Sequence, residues 1–175
     1  MINTIGNNEF LLNQINHLIN QKKFDQNYLF NSFLSSLEIE QENDQLKVKV
    51  NKKTNSISLP LSIDSFYSTI MDLASDTKID FQQFSFFPFQ NLLKNKKQNQ
   101  CFLSNIQNHI LSLLITSPNG INKNQLYKVV WPHNKDYSVN KLDTHLTNLK
   151  KKLKTEIEVD IQIKSIDKNI TLIID

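Results

Sequence analysis

Arginine is absent: all 20 basic residues in this chain of 175 are lysine. No surface of the protein can therefore make the forked guanidinium contact to carboxylate, phosphate or guanine, and positive charge comes only as lysine point charges. The single cysteine, Cys101, excludes an intramolecular disulfide and a CxxC metal site, and it fits a reducing compartment. Two glycines, Gly6 and Gly120, are too few for a Gly-rich phosphate loop. The four histidines (His17, His109, His133 and His145) show no metal-ligand spacing, and neither Ser/His/Asp nor Cys/His order has supporting context. No catalytic residue, metal or cofactor is expected, and the chain does not read as an enzyme. No apolar run approaches the ~20 residues of a bilayer span. Met1 to Gln21 lacks a basic start and a continuous apolar core, so neither a membrane helix nor a signal peptide is expected and the protein reads as cytoplasmic. There is one alanine, Ala74. The abundance of Lys, Asn, Ile and Phe suits an AT-rich genome more than a structural demand.

The charge is unevenly spread. From Met1 to Ser75 six Lys stand against eight Asp and Glu, a net of −2. From Gly120 to Thr155 eight Lys stand against Asp136 and Asp143, a net of +6, and the tail from Glu156 returns to −3. Positive charge gathered in one segment is the footprint of a phosphate-facing surface. Within that segment, Leu142, Leu146, Leu149 and Leu153 form one helical stripe, with Asn140, Thr144, Thr147, Asn148 and Lys151 on the opposite side. A helix over 138–154, with Ser138 as its N-cap, is expected to bury Leu and present Asn, Thr and Lys. That is groove-binding chemistry, or else a solvated surface helix.

Around it, periodicity predicts helices over 8–22 and from Asp25 through Leu37, then alternating strands at Leu46–Val50 and Ile57–Leu61. The polar clusters 41–45 and 51–55 read as the intervening turns. A helix follows from Asp64 to Ala74, with Phe66, Tyr67, Ile70, Met71 and Leu73 on its buried side. A polar break at 76–78 marks a boundary between residues 1–76, a small mixed α/β domain, and residues 77–175. Beyond it, the Phe-rich stretch 79–102, interrupted by Pro88, reads as short antiparallel strands. Ser104 with Gln107 caps a helix bearing Ile106, Ile110, Leu111, Leu113 and Leu114, and Gly120 can take a positive φ at its end. Asn122 with Gln125 repeats the capping pattern for a short helix that Pro132 stops. Val159–Ile166 and Ile170–Ile174 form a hairpin around residues 167–169. The class is α+β: N-terminal antiparallel sheet, three helices, C-terminal β-hairpin. This is the order of a winged helix-turn-helix.

Four strings then carry a family resemblance: Leu103-Ser104 before a helix, Ser117-Pro118-Asn119-Gly120-Ile121, Leu126-Tyr127-Lys128-Val129-Val130-Trp131-Pro132, and Leu142-Asp143-Thr144-His145-Leu146-Thr147-Asn148-Leu149-Lys150-Lys151-Lys152-Leu153. From Ile79 onward the chain resembles the C-terminal DNA-binding domain of OmpR/PhoB-type response regulators. The resemblance implies a transcriptional regulator of two-component signal transduction, in a bacterial cytoplasm and nucleoid-associated when bound. It implies double-stranded DNA as partner, a homodimer or tandem binding on DNA, and contact with RNA polymerase. Helix 138–154 becomes the recognition helix in the major groove. Asp143, Thr144 and Asn148 match base-contacting positions. Trp131, Asn140, Lys141, His145, Thr147, Lys150 and Lys151 match phosphate-contacting ones. Trp131 can equally cap the core, and His145 can equally pack at the helix flank. The family's wing carries Arg-Gly-x-Gly-Tyr; here it is Ile166-Asp167-Lys168-Asn169-Ile170-Thr171, and Asp167 would repel a phosphate.

The first 75 residues are short for a phosphoreceiver, and no apolar strand leads into paired acids. Ser58-Leu59-Pro60-Leu61 before the helix resembles a receiver's tail, with Leu59 where the family has Lys. Asp25, Asp44 and Asp64 read as caps or turn residues, so no phosphoacceptor is expected and this part reads as a shortened, degenerate receiver or an unrelated domain. The competing reading of the whole is a winged-helix protein-interaction module with little DNA affinity.

Overall fold

The computed structural model describes residues 2–5, 9, 13–15, 17, 29, 32–34, 36–60, 62–134, 139–159, 161–166 and 168–173. The chain divides into two compact units, Met1–Thr77 and Lys78–Asp175.

In the first unit, β1 (Ile2–Ile5) runs parallel to β2 (Leu37–Glu42), which continues antiparallel into β3 (Gln45–Val50) and β4 (Lys53–Ser58). Leu37, Ile39, Leu46, Val48 and Val50 are all buried, as a period of two dictates for a sheet with one covered face. Asn43 and Asn51 take positive φ at the two tight turns, a conformation asparagine tolerates through its short polar side chain. Leu37 was expected to close a helix and instead opens β2. Leu37 and Ile39 alternate with Glu38 and Glu40, and pairing with β3 outweighs helical spacing at the junction. The strand expected to reach Leu61 stops at Ser58, because Pro60 has no N–H to extend the ladder. β1 had no sequence signal at all, being four residues paired with a strand far along the chain.

Most of the two helices expected before residue 37 lies outside the described residues; among those described, Ile15 and Leu29 are helical and buried. Helix α1 (Ile63–Ala74) is capped by Ser62, whose hydroxyl accepts from Ser65 N–H at 3.1 Å. It buries Phe66, Ile70 and Ala74, while Tyr67, Met71 and Leu73 are half-buried.

The second unit opens with an antiparallel sheet in sequence order, β5 (Ile79–Asp80), β6 (Phe84–Phe87), β7 (Leu92–Asn95) and β8 (Gln100–Phe102). Phe84, Phe86, Leu93 and Cys101 supply its buried side. Buried Asn95 is satisfied twice, donating to Ile157 O at 2.8 Å and accepting from Asn99 N–H at 2.9 Å. Helix α2 (Asn105–Ile115) starts with the expected capping box of Ser104 and Gln107. Asn108 Nδ2 donates to Pro88 O at 3.0 Å and ties it to the sheet.

Burial pushes the His109 imidazole on α2 down to about 4 from 6.5. The folded state thus releases a proton that the unfolded chain keeps below pH 6.5. Its stability contribution is full above that pH and is lost as pH falls towards 4. The urea midpoint followed by Trp131 fluorescence is expected to drop over that interval, and less so in His109→Gln. Equal drops in both proteins would show that His109 does not carry the effect.

Gly120 has φ +80°, and a Cβ there would lie 2.5 Å from Thr171 Oγ1, so the turn and the adjoining strand both require glycine. It leads into β9 (Ile121–Asn122) and α3 (Lys123–Val130). Asn122 caps α3 by accepting from Asn124 N–H at 3.0 Å; the reciprocal bond expected from Gln125 is not what caps it. Helix α4 (Val139–Glu156) follows, and the expected cap Ser138 lies outside the described residues. The expected hairpin is present as β10 (Gln162–Ile166) and β11 (Asn169–Ile173), but β9 joins it, making a three-stranded sheet in the order β10-β11-β9. Ile121 pairs with Ile170 across this sheet. Asp167 lies outside the described residues. The second unit is thus a winged helix-turn-helix: sheet, three helices and wing. No helix among the described residues is long and apolar enough to cross a membrane.

Candidate nucleic-acid interface

Helix α4 is anchored by its leucines. Leu142, Leu149 and Leu153 are fully buried and Leu146 is 7% exposed. The 3.6-residue period then forces Asn140, Thr144, Thr147, Asn148 and Lys151 outward, and all five are exposed, with Lys150 beside them. Thr144 Oγ1 donates its proton to Asn140 O at 2.8 Å. The side chain thus offers outward a methyl group and oxygen lone pairs, with its donor already used.

The N-terminal half of α4 is fixed against α3 by an aromatic stack. The Trp131 ring lies 4.8 Å from Tyr127 and 5.5 Å from His145, and Lys141 Nζ sits 4.6 Å over Trp131. Trp131 N–H donates to Tyr127 O at 2.9 Å, and Asn134 Nδ2 donates to the Tyr127 hydroxyl at 3.3 Å. Burial, and then the Lys141 charge, hold His145 below its usual imidazole pKa, so at neutral pH it brings a hydrogen-bonding group without a positive charge. Further along, Lys152 Nζ donates to Phe102 O at 2.6 Å and tethers α4 to the end of β8. That ammonium is turned to the body of the domain.

Between α4 and the wing lies a cleft of about 200 Å3, lined by Lys123, Asp143, Thr147, Lys150, Lys164 and Ser165 with Leu146, Ile163 and Ile170 at its base. Asp143 Oδ1 is 2.6 Å from Lys123 Nζ. One carboxylate therefore faces three ammonium groups, and the cleft keeps a surplus of positive charge flanked by hydroxyls. Lys168, at the wing turn, is exposed with φ 67°. Sequence reasoning placed neither Lys123 nor Lys164 at the site. Strand alternation could assign Lys164 a side of β10, but it could not show that this side meets a helix from earlier in the chain.

Of the residues expected at the site, the structure gathers Asn140, Thr144, Thr147, Asn148, Lys150 and Lys151 on one exposed face. It sets Trp131, Lys141 and His145 together at one edge, and turns Asp143 towards the cleft. Residues 98–168 match the family model described as "Transcriptional regulatory protein, C terminal".

That bears out the resemblance over β8, the three helices, β9 and β10, and marks this segment as a transcription-regulatory domain. The match leaves out the whole first unit, β5 to β7 and the last wing strand, β11. No curated protein matches the chain in sequence. Among solved structures, one of a RitR mutant is similar at 14% identity and a TM-score of 0.46, and covers 98% of this chain and 66% of that one. This chain therefore spans just under two thirds of that relative.

Among the described residues no group of three His, Cys, Asp or Glu could hold a metal ion. Burial, helped by Glu156, pushes the Cys101 thiol up to about 12, which leaves no thiolate for chemistry at neutral pH.

Proposed function

We propose that the chain is a transcriptional regulator that places α4 in the DNA major groove and acts without receiver phosphorylation. One observation carries it: a recognition-type helix whose whole outward face is Asn, Thr and Lys, beside a lysine-lined cleft under the wing. In this reading Thr144 and Asn148 meet base edges. Asn140, Thr147, Lys150 and Lys151 meet phosphates, joined by Lys123, Lys164 and Lys168. Trp131 turns its indole N–H, His145 its neutral imidazole and Lys141 its ammonium to the backbone at the helix's N-terminal edge. Asp143, expected to reach a base, is ion-paired with Lys123 in the cleft. A homodimer or tandem pair on repeated half-sites would supply the affinity that one small module lacks, and RNA polymerase is the partner for output. The site of action is the cytoplasm, where bacterial DNA is. Binding to duplex DNA as a function of salt tests the reading, and affinity that falls steeply as salt rises is the expected result. A chain that binds no duplex at low salt would be an interaction module instead.

For the first unit, Asp44 sits in the β2–β3 turn, where its carbonyl accepts from Leu59 N–H at 2.8 Å, and Asp64 lies in the first turn of α1; Asp25 lies outside the described residues. Among the described residues, neither acid belongs to a group of three His, Cys, Asp or Glu that could hold a metal ion. Incubation with acetyl phosphate and magnesium is expected to leave the intact mass unchanged. A stoichiometric phospho-aspartate would overturn this half of the proposal.

A further inference from the structure

Resting on the DNA-binding reading, we propose that α4 is built to read A·T base pairs, with the Thr144 methyl on a thymine methyl and the Asn148 amide on an adenine about two base-pair steps away. In the major groove each base pair shows its own pattern: guanine two acceptors, cytosine an amino donor, adenine an acceptor beside a donor, and thymine an acceptor beside a methyl. Reading guanine takes a cation with donors, and reading cytosine takes a free acceptor, for which a carboxylate serves best.

The outward face is short of unengaged cations near its N-terminal half and of free carboxylates. There is no arginine in the chain. Of the lysines around α4, Lys123 is held by Asp143, Lys141 lies over Trp131 and Lys152 is bonded to Phe102 O. Lys150 lines the cleft under the wing. Lys151 is exposed but sits about 10 Å along the axis from Thr144 at 1.5 Å per residue, away from the N-terminal part of a recognition helix that meets bases. The only carboxylate in the outer half of the helix, Asp143, is ion-paired.

What remains is matched to A·T. Thr144 has spent its hydroxyl proton on Asn140 O, so it cannot donate to guanine O6 or N7, and its methyl is free for a thymine methyl. Asn148 carries a donor NH2 group beside an acceptor oxygen in one plane, the complement of adenine N7 and N6. The two residues are one turn apart, about 6 Å along the helix, which spans about two base-pair steps of ~3.4 Å.

The test uses the full chain. Sites selected from random duplexes should carry A·T at two positions, each worth on the order of 10-fold over G·C. Deoxyuridine placed for the contacted thymine, which removes only the methyl, should weaken binding by roughly 3- to 10-fold. Thr144→Ser keeps the hydroxyl and should lose the same factor on thymine-containing sites and nothing further on uracil-containing ones. Asn148→Ala should abolish the preference at the second position alone. Selected sites with G·C at these positions, or thymine and uracil duplexes bound alike, would overturn the A·T assignment while leaving DNA binding intact. No binding to any duplex at low salt would overturn the proposed function and this inference together.

Discussion

Replacing Leu149 with alanine is expected to destabilise the winged helix by about 2–5 kcal/mol. Leu149 is fully buried in the middle of the α4 stripe, between Leu146 and Leu153. Truncation removes the transfer free energy of its buried carbons and leaves a cavity that neighbours on two sides cannot all close. Trp131, the sole tryptophan, lies in the second unit, so its fluorescence reports the urea transition of that unit alone. At an m-value of about 1.5 kcal/mol/M the midpoint should fall by about 1.3–3.3 M. Lys151→Ala on the opposite, exposed face is the comparison, with a change within about 0.5 kcal/mol. A Leu149→Ala loss no larger than that would mean that the stripe does not anchor the helix.

Raising salt from 50 to 200 mM should cost on the order of 150-fold in duplex affinity for each bound winged helix. The figure follows from a slope of about −0.9 in log K per phosphate neutralised, if Lys150, Lys151, Lys164 and Lys168 each neutralise one, leaving out Lys123, whose charge Asp143 offsets, and Lys141, which lies over Trp131. Lys150→Ala should weaken random and preferred duplexes alike and flatten the slope by about 0.9. A salt-independent affinity would place binding somewhere other than this lysine surface. A slope unchanged in Lys150→Ala would take that residue off the phosphate path.

The two results test different layers of one design. The leucines decide whether the helix is held, and the lysines whether the held helix is drawn to a polyanion. Lys123 shows the layers meeting: paired at 2.6 Å with Asp143 across a part-exposed contact, it gains little stability from that bond, but its ammonium is kept in the cleft.

Local features were legible in the residues. The Leu142–Leu153 stripe, the Ser104–Gln107 box, the Gly120 turn and the hairpin all depend on neighbours within a few positions, where 3.6- and 2-residue periods and capping chemistry act directly. The outward face of α4 followed from the same period, so its exposed residues could be named before the packing was known. Only the folded chain could decide which lysines are spent and which are free. Lys152 is bonded to the carbonyl of Phe102, 50 residues away, Lys123 is bonded to Asp143, and Lys164 reaches the cleft from a strand that follows α4. The pairing of β1 with β2 and of β9 with β11 is likewise long-range. A lysine carries the same charge and the same long stem wherever it stands. Its spacing in sequence holds no information about a partner brought close by the packing of other elements.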